Sequence, residues 1–332
     1  MALGGLAQAS PGLTRSSMSS PCPNFIGLIL RELRPRQWTK NIVVLAAFFF
    51  ALGDRHQTIP WQAFFTILWA AMIFCVLSSG VYVMNDLADL TADRAHPTKR
   101  LRPLASGALP LTTGRLMTTI LLLSGAVGAL VLGRSFALVV AVYLAIQALY
   151  TARLKHVPLL DVFVISAGFV LRAVAGGVVI GVAISPWLLI CTFLMALFLV
   201  LCKRRYEIRL EAAAGGATRP SLLGSSEPLL NQLITITATS IIIAYAVYTQ
   251  WPDTVEKFGT HRLGLTLPFV VFGVFRYLDL VYRHAKGEQP EAILLTDGPL
   301  LVTLILYGVS VLVILSPLTR YLADWARHLG FF

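Results

Sequence analysis

Residues 85–107 read Asn85-Asp86-Leu87-Ala88-Asp89-Leu90-Thr91-Ala92-Asp93-Arg94-Ala95-His96-Pro97-Thr98-Lys99-Arg100-Leu101-Arg102-Pro103-Leu104-Ala105-Ser106-Gly107. Three carboxylates and four cations fall within 85–102, in a chain of which only 13% is charged. The run follows a long apolar segment, 61–84, so the charge is gathered at one end of what reads as a membrane helix. If that helix continues, Asn85, Asp89 and Asp93 stand at i, i+4 and i+8 on one face, and Asp86 points about 100° away. Oxygen donors sharing a face suit a hard cation that keeps waters and bridges to phosphates, which is magnesium's habit. Without a cation the carboxylates repel one another. Lys99, Arg100 and Arg102 follow, with Arg94 nearer the acids. Pro97 and Pro103 limit the freedom of this loop, and Ser106-Gly107 turns it back toward the next apolar segment. A basic loop facing a metal site has the chemistry of a diphosphate clamp, with arginine supplying bidentate geometry.

Working outward, the 332 residues are 57% hydrophobic, with a mean hydropathy of +0.75. A soluble domain carries nearer half apolar and about a quarter charged residues. The chain therefore reads as an all-α polytopic membrane protein, one helical domain over 25–332 behind a Ser-, Gly- and Pro-rich tail. That tail, 1–24, lacks a signal-peptide apolar core and is expected to be disordered. Residues 25–33 suit a short amphipathic helix at the membrane surface. Nine apolar segments follow: 41–53, 61–84, 112–132, 135–151, 158–181, 186–202, 231–250, 264–281 and 298–316. A crossing helix needs ~20 residues. The first segment is short alone and must borrow a turn from Arg36–Lys40.

Nine crossings with the amino terminus inside put nineteen of the 27 Lys+Arg on the inner face and six on the outer, with Arg172 and Arg276 inside segments. That bias predicts a cytoplasmic amino terminus, in a multi-pass protein of the inner (cell) membrane with its active site on the cytoplasmic side. It also accounts for the net charge of +11 without a nucleic-acid partner. The four cysteines show no paired spacing.

Two weaker patches lie at the same end. Tyr150, Arg153, Lys155 and His156 lead into Asp161 at the start of the fifth segment. Arg172 follows eleven residues later on nearly the same face, an intramembrane charge that is by default a functional candidate. It reads equally as half of a structural Asp161–Arg172 pair, or as an arginine bonding backbone carbonyls. Gly176, Gly177 and Gly181 permit close helix approach there. Lys203-Arg204-Arg205-Tyr206-Glu207 ends the sixth segment; Lys203 is placed to reach the cavity, and Arg205 reads as an anchor. Arg276 and Asp279 read as a local ion pair. His96 and His156 lack metal spacing, and no phosphate-loop, dinucleotide-loop or Ser/His/Asp signature is present.

The pattern Asn85-Asp86-x-x-Asp89-x-x-x-Asp93, then Lys99-x-x-Arg102-Pro103-x-x-Ser106-Gly107, resembles the first aspartate-rich motif of the UbiA-type intramembrane prenyltransferases. The resemblance runs from Arg34-Pro35 to the ninth segment. Aromatic prenyltransferases of that superfamily carry a second aspartate-rich motif after the fourth helix, where this chain has the single acid Asp161. The sets R-P-R-Q-W-x-K-N (34–41), H-P-T-K-R-x-R-P (96–103), L-R-A-V-A-G-G (171–177) and K-R-x-Y-E (203–207) are instead similar to the decaprenyl-phosphate phosphoribosyltransferase branch.

That resemblance implies transfer of 5-phosphoribose from phosphoribosyl diphosphate to a polyprenyl phosphate, on the route to arabinose donors for the cell envelope. It implies Mg2+ held by Asn85, Asp89 and Asp93, with Asp89, Asp93, Lys99 and Arg102 catalytic. Arg36, Lys40 and Lys203 become candidate seats for the lipid phosphate; Lys155, Asp161 and Arg172 are candidates for the ribose or its 5-phosphate, and Tyr150 is a further substrate-binding candidate. The lipid bilayer is a partner, and a homo-oligomer is compatible with this reading. The alternative is a UbiA-type aromatic (quinone-precursor) polyprenyltransferase, which shares the metal and diphosphate logic. A transporter would instead show broken, repeated halves with charges near the midplane; no internal repeat is present.

Overall fold

The computed structural model describes residues 24–96, 98–213, 226–283, 293 and 296–316, the side chains of 211–213 excepted. The expected tail (all but Asn24) and Pro97 lie outside the described residues. Among those described the chain is all helical. In order come α1 (Phe25–Leu33), a 3-10 segment (Pro35–Leu45), α2 (Ala46–Leu52), α3 (Gln62–Ala88), α4 (Leu90–Ala95), α5 (Leu111–Leu132) and α6 (Arg134–Ala152). Then follow α7 (Leu160–Ile180), α8 (Pro186–Ala213), α9 (Glu227–Gln250), α10 (Pro252–Phe258), α11 (Leu267–Arg283) and α12 (Gly298–Leu315). Eight helical stretches are long and apolar enough to cross a bilayer: α3, α5, α6, α7, α8, α9, α11 with the 3-10 turn before it, and α12.

The sequence predicts nine crossings, and the difference lies in the first segment. Residues 35–45 wind as a 3-10 helix and only 46–52 as α. A 3-10 helix rises about 2.0 Å per residue against 1.5 Å for α, so these eighteen residues extend about 32 Å. That matches a ~30 Å hydrocarbon core with fewer residues than an α-helix uses. The winding also aligns every third side chain. Trp38 donates to Ser79 Oγ (3.0 Å), Asn41 is buried against α3 and α7, and Val44 and Ala47 are buried.

α3 is the central post. Its buried residues include Ile67, Ala70, Phe74, Leu77 and Val81, packed with Val44, Phe136, Tyr143 and Ala175 from neighbouring elements. Close approach to α7 requires glycine: a Cβ on Gly176 would sit 2.0 Å from the Val44 carbonyl oxygen. Gly181, at φ +69, ends α7 in the left-handed conformation that glycine adopts readily. α1 buries Leu28 against Val83, Leu104 and Leu109, while Phe25, Ile26 and Leu30 face outward. This is the amphipathic helix expected, seated over the charged end of the bundle.

Candidate active site

α3 does not run unbroken through the aspartates. It ends at Ala88; Asp89 adopts φ −94°, ψ 10°, and α4 restarts at Leu90. Backbone bonds from Asp89 N to Asn85 O (2.9 Å) and from Asp93 N to Asp89 O (2.8 Å) keep the four-residue stagger across this bend. The loop beyond is held from below by Leu104 and Leu109, both fully buried. The Arg94 guanidinium ties it from the side to the Ala105 carbonyl (3.1 Å). Gly107 takes φ +79 at the turn, as Ser106-Gly107 predicts. His96 Nδ1 accepts from the Thr98 and Lys99 amides, so that histidine is a turn cap.

Each acid of the run is engaged by a cation, Arg102 from within the run or Arg34 and Lys155 from elsewhere in the chain. Asp86, buried, pairs with Arg34 and with Arg102 (2.9 Å). Asp93, also buried, pairs with the same Arg102 (2.5 Å). Asp89 is 37% exposed and pairs with Lys155, while the Thr151 hydroxyl lies against the Asn85 side chain. Burial lifts the Asp93 carboxyl above the ordinary carboxylate range, although Arg102 and Lys99 pull it down. Lys155 comes from a single 3-10 turn, 154–156, between α6 and α7, which brings the second sequence patch onto the first.

Asn85, Asp89 and Asp93 are all hard oxygen donors. Among the described residues no three carboxylate, histidine or cysteine side chains form a closed metal cage. An open set of one or two carboxylates completed by water and substrate phosphate is how Mg2+ is commonly held, so the donors present fit that ion.

Asp161 and Arg172 do not meet. Eleven residues of α-helix separate them by about 16 Å along the axis, beyond side-chain reach. Asp161 instead pairs with Arg204, which also binds Glu207 (2.6 Å) and lies within electrostatic reach of Tyr150. Arg172 is 5% exposed. It donates to Asn41 Oδ1 (2.8 Å), the Gly168 carbonyl (2.9 Å), Tyr143 Oη (3.0 Å) and Ser78 Oγ (3.3 Å), with Phe74 and Phe169 rings at its flanks. Backbone-carbonyl bonding of Arg172 is thus part of what the fold shows.

The remaining candidates are more scattered. Arg36 is exposed and Lys40 half-buried; at four residues apart in a 3-10 helix they lie about 120° from one another, not on a shared face. Lys203 and Tyr150 are half-buried. Arg205 stacks 4.0 Å from the Tyr282 ring and binds Asn231 and Glu227, an anchor joining α8, α9 and α11. Arg276 pairs with Asp279 and Asp297. Sequence reasoning passed over Arg34, Asp86, Thr151 and Arg204. Arg34 and Asp86 stand inside quoted motifs, and their pairing needs the α1–α3 crossing that no local pattern encodes. A cavity of about 240 Å³ lies at the opposite end, lined by Phe50, Ile184, Tyr248, Thr254 and Lys257, away from the acids.

Residues 42–296 match the profile described as the UbiA prenyltransferase family. A Mycobacterium tuberculosis protein named decaprenyl-phosphate phosphoribosyltransferase is 33% identical over 285 residues, spanning 86% of this chain and 93% of the relative. Its namesake from Corynebacterium glutamicum is 34% identical over 289 residues, 85% of each chain. A solved UbiA homolog from Archaeoglobus fulgidus, bound to GPP and Mg2+, superimposes with a TM-score of 0.65 at 19% identity, covering 87% of this chain and 99% of that one.

Proposed function

This chain belongs to the UbiA prenyltransferase family, and on that premise we propose that it transfers 5-phosphoribose from 5-phosphoribosyl 1-diphosphate to a polyprenyl phosphate of decaprenyl type, releasing diphosphate. It is an integral membrane protein, and we place the reaction on the cytoplasmic side of the inner (cell) membrane, where the charge bias puts the aspartate-bearing end.

The observation that carries the reading is the set of exchangeable ion pairs at 86–102. Arg34, Arg102 and Lys155 occupy the three acids, leaving a site that is balanced only while cations sit on it. A diphosphate arriving with a divalent ion supplies both signs at once. Mg2+, when bound by Asn85, Asp89 and Asp93, supplies Lewis-acid neutralisation of the leaving group. Arg102, 30% exposed and shared between two acids, turns toward the diphosphate and stabilises charge as it develops, with Lys99 beside it. Lys155, released from Asp89, and Tyr150 face the ribose 5-phosphate. Arg36, Lys40 and Lys203 remain the cationic candidates for the lipid phosphate, whose anionic oxygen needs no strong base. Asp161 and Arg172 act on substrate through the helices they brace. The names of the relatives support ribosyl transfer over the aromatic alternative, as does the lone acid of the second patch.

Membranes containing the protein, incubated with labelled phosphoribosyl diphosphate, polyprenyl phosphate and Mg2+, are expected to yield a lipid-linked phosphoribose. Absence of that product, together with transfer from a prenyl diphosphate to an aromatic acid, would falsify the assignment.

A further inference from the structure

Glu32 is a buried acid that none of the chemistry above uses. It lies in the last turn of α1 and is 1% exposed. With Leu28 one turn earlier it forms the inward edge of that helix. Leu28 seats on the apolar floor under the basic loop, and one turn on Glu32 stands beside Asp86, within hydrogen-bonding reach of its carboxylate. Its Oε1 has no hydrogen-bond partner among the described residues.

The charges around it do not balance if every acid is ionised. Glu32, Asp86 and Asp93 make three carboxyls, against the guanidiniums of Arg34 and Arg102. Both guanidiniums form ion pairs with Asp86 or Asp93. Two touching buried carboxyls cannot both carry charge cheaply, so one of them holds a proton. Among the described residues Glu32 is the one with no cation at ion-pair distance, so it is the carboxyl that holds the proton and can donate to Asp86. The groups facing it are Asp86 from α3, Arg34 on its own segment, and Arg102 from the loop; Tyr82 lies under Arg34 and Asp93 lies beyond Arg102. Burial and the Asp86 charge push the Glu32 carboxyl up to about 8, against the pull of Arg34 and Arg102.

We propose that Glu32 is a positioning residue: as a neutral carboxylic acid donating to Asp86, it holds that carboxylate between Arg34 and Arg102 and so sets where the Arg102 guanidinium stands when diphosphate arrives. The inference rests on the phosphoribosyl-transfer reading for its kinetic consequence. Asp86 lies outside the proposed magnesium ligands, so the device is separate from metal binding. When Glu32 ionises it competes for both guanidiniums, and Arg102 is drawn from the leaving group toward α1.

The test is the pH profile of transfer, with KM for phosphoribosyl diphosphate and kcat read separately, for wild type, Glu32→Gln and Glu32→Ala. Wild-type transfer is expected to fall about tenfold per unit above about pH 8. Glu32→Gln, a neutral donor of the same shape, keeps the wild-type rate at pH 7 and loses that decline. Glu32→Ala lowers kcat at least about tenfold at every pH. A parallel fall in the Gln variant, or a wild-type rate at pH 7 in the Ala variant, overturns the proposal.

Unfolding in detergent gives a readout that needs no turnover. The folded state binds the extra proton between the ordinary value of 4.5 and about 8, so stability is greatest below that window and declines as pH rises through it. The wild-type midpoint therefore falls across pH 5 to 8, and that of Glu32→Gln falls markedly less over the same range. Should wild type transfer no phosphoribose at any pH, the functional reading fails while this measurement still decides the state of Glu32; a level wild-type midpoint would overturn the proposed proton.

Discussion

Two arginines show how differently this bundle handles a positive charge. Arg102, at the charged mouth, is part-exposed and shared between Asp86 and Asp93. Arg172, deep among α3, α6, α7 and the 3-10 segment, bonds only neutral groups among the described residues: an amide, two hydroxyls and a backbone carbonyl. An ion pair near water can be exchanged for a ligand at little net cost, because water and salt already weaken it. A buried guanidinium wrapped by dipoles has no such substitute, and losing it takes a hydrogen bond from each partner. The mouth is built for exchange and the interior cluster for permanence.

The contrast is sharpest where activity and stability separate. Asp89→Asn is expected to lower transfer by about 1,000-fold, since it removes a charged ligand for the metal that neutralises the leaving group. Its unfolding midpoint should match wild type, and a matching activity instead would remove Asp89 from the site. Arg172→Leu should do the reverse. With Asn41, Ser78 and Tyr143 each losing the bond from the guanidinium, the folded state loses about 2–4 kcal/mol, read as a drop in detergent unfolding midpoint. If that variant is as stable as wild type yet inactive, Arg172 belongs to the chemistry and the division between the two regions collapses. Arg102→Ala is expected to reduce kcat by about 100-fold, and it also lowers the unfolding midpoint because buried Asp86 and Asp93 lose their shared cation. Arg94→Ala is the mildest: loss of the bond to the Ala105 carbonyl costs about 1 kcal/mol. Faster amide exchange confined to residues 98–109 would report it.

These assignments also show where sequence reasoning has purchase. Apolar runs of sufficient length mark eight crossings, because burial in lipid leaves a local signature that needs no knowledge of neighbours. The four-residue stagger of Asn85, Asp89 and Asp93 is legible for the same reason, and it survives the bend at Asp89 through two backbone bonds. Pairings between segments are not legible. Asp161 and Arg172 share a face of α7, which suggests a pair, but the rise between them forbids it; Arg204, 43 residues from Asp161, supplies the charge. Arg34 reaches Asp86 across 52 residues only because α1 folds over the end of α3. The winding of residues 35–45 is not legible either, since 3-10 and α geometry are nearly indistinguishable in a pattern of eleven residues.

That winding bears on heredity as well as on shape. In residues 35–45 a side chain returns to the same bearing every third position, so Trp38, Asn41 and Val44 form one edge, continued by Ala47. Removing a single codon there would turn the upstream half by about 120° and present a different residue to Arg172. Removing three would shorten the segment by one full turn and leave its edge facing α3 and α7. Drift in the length of this stretch is therefore quantised in threes, a reading frame laid a second time in the folded chain.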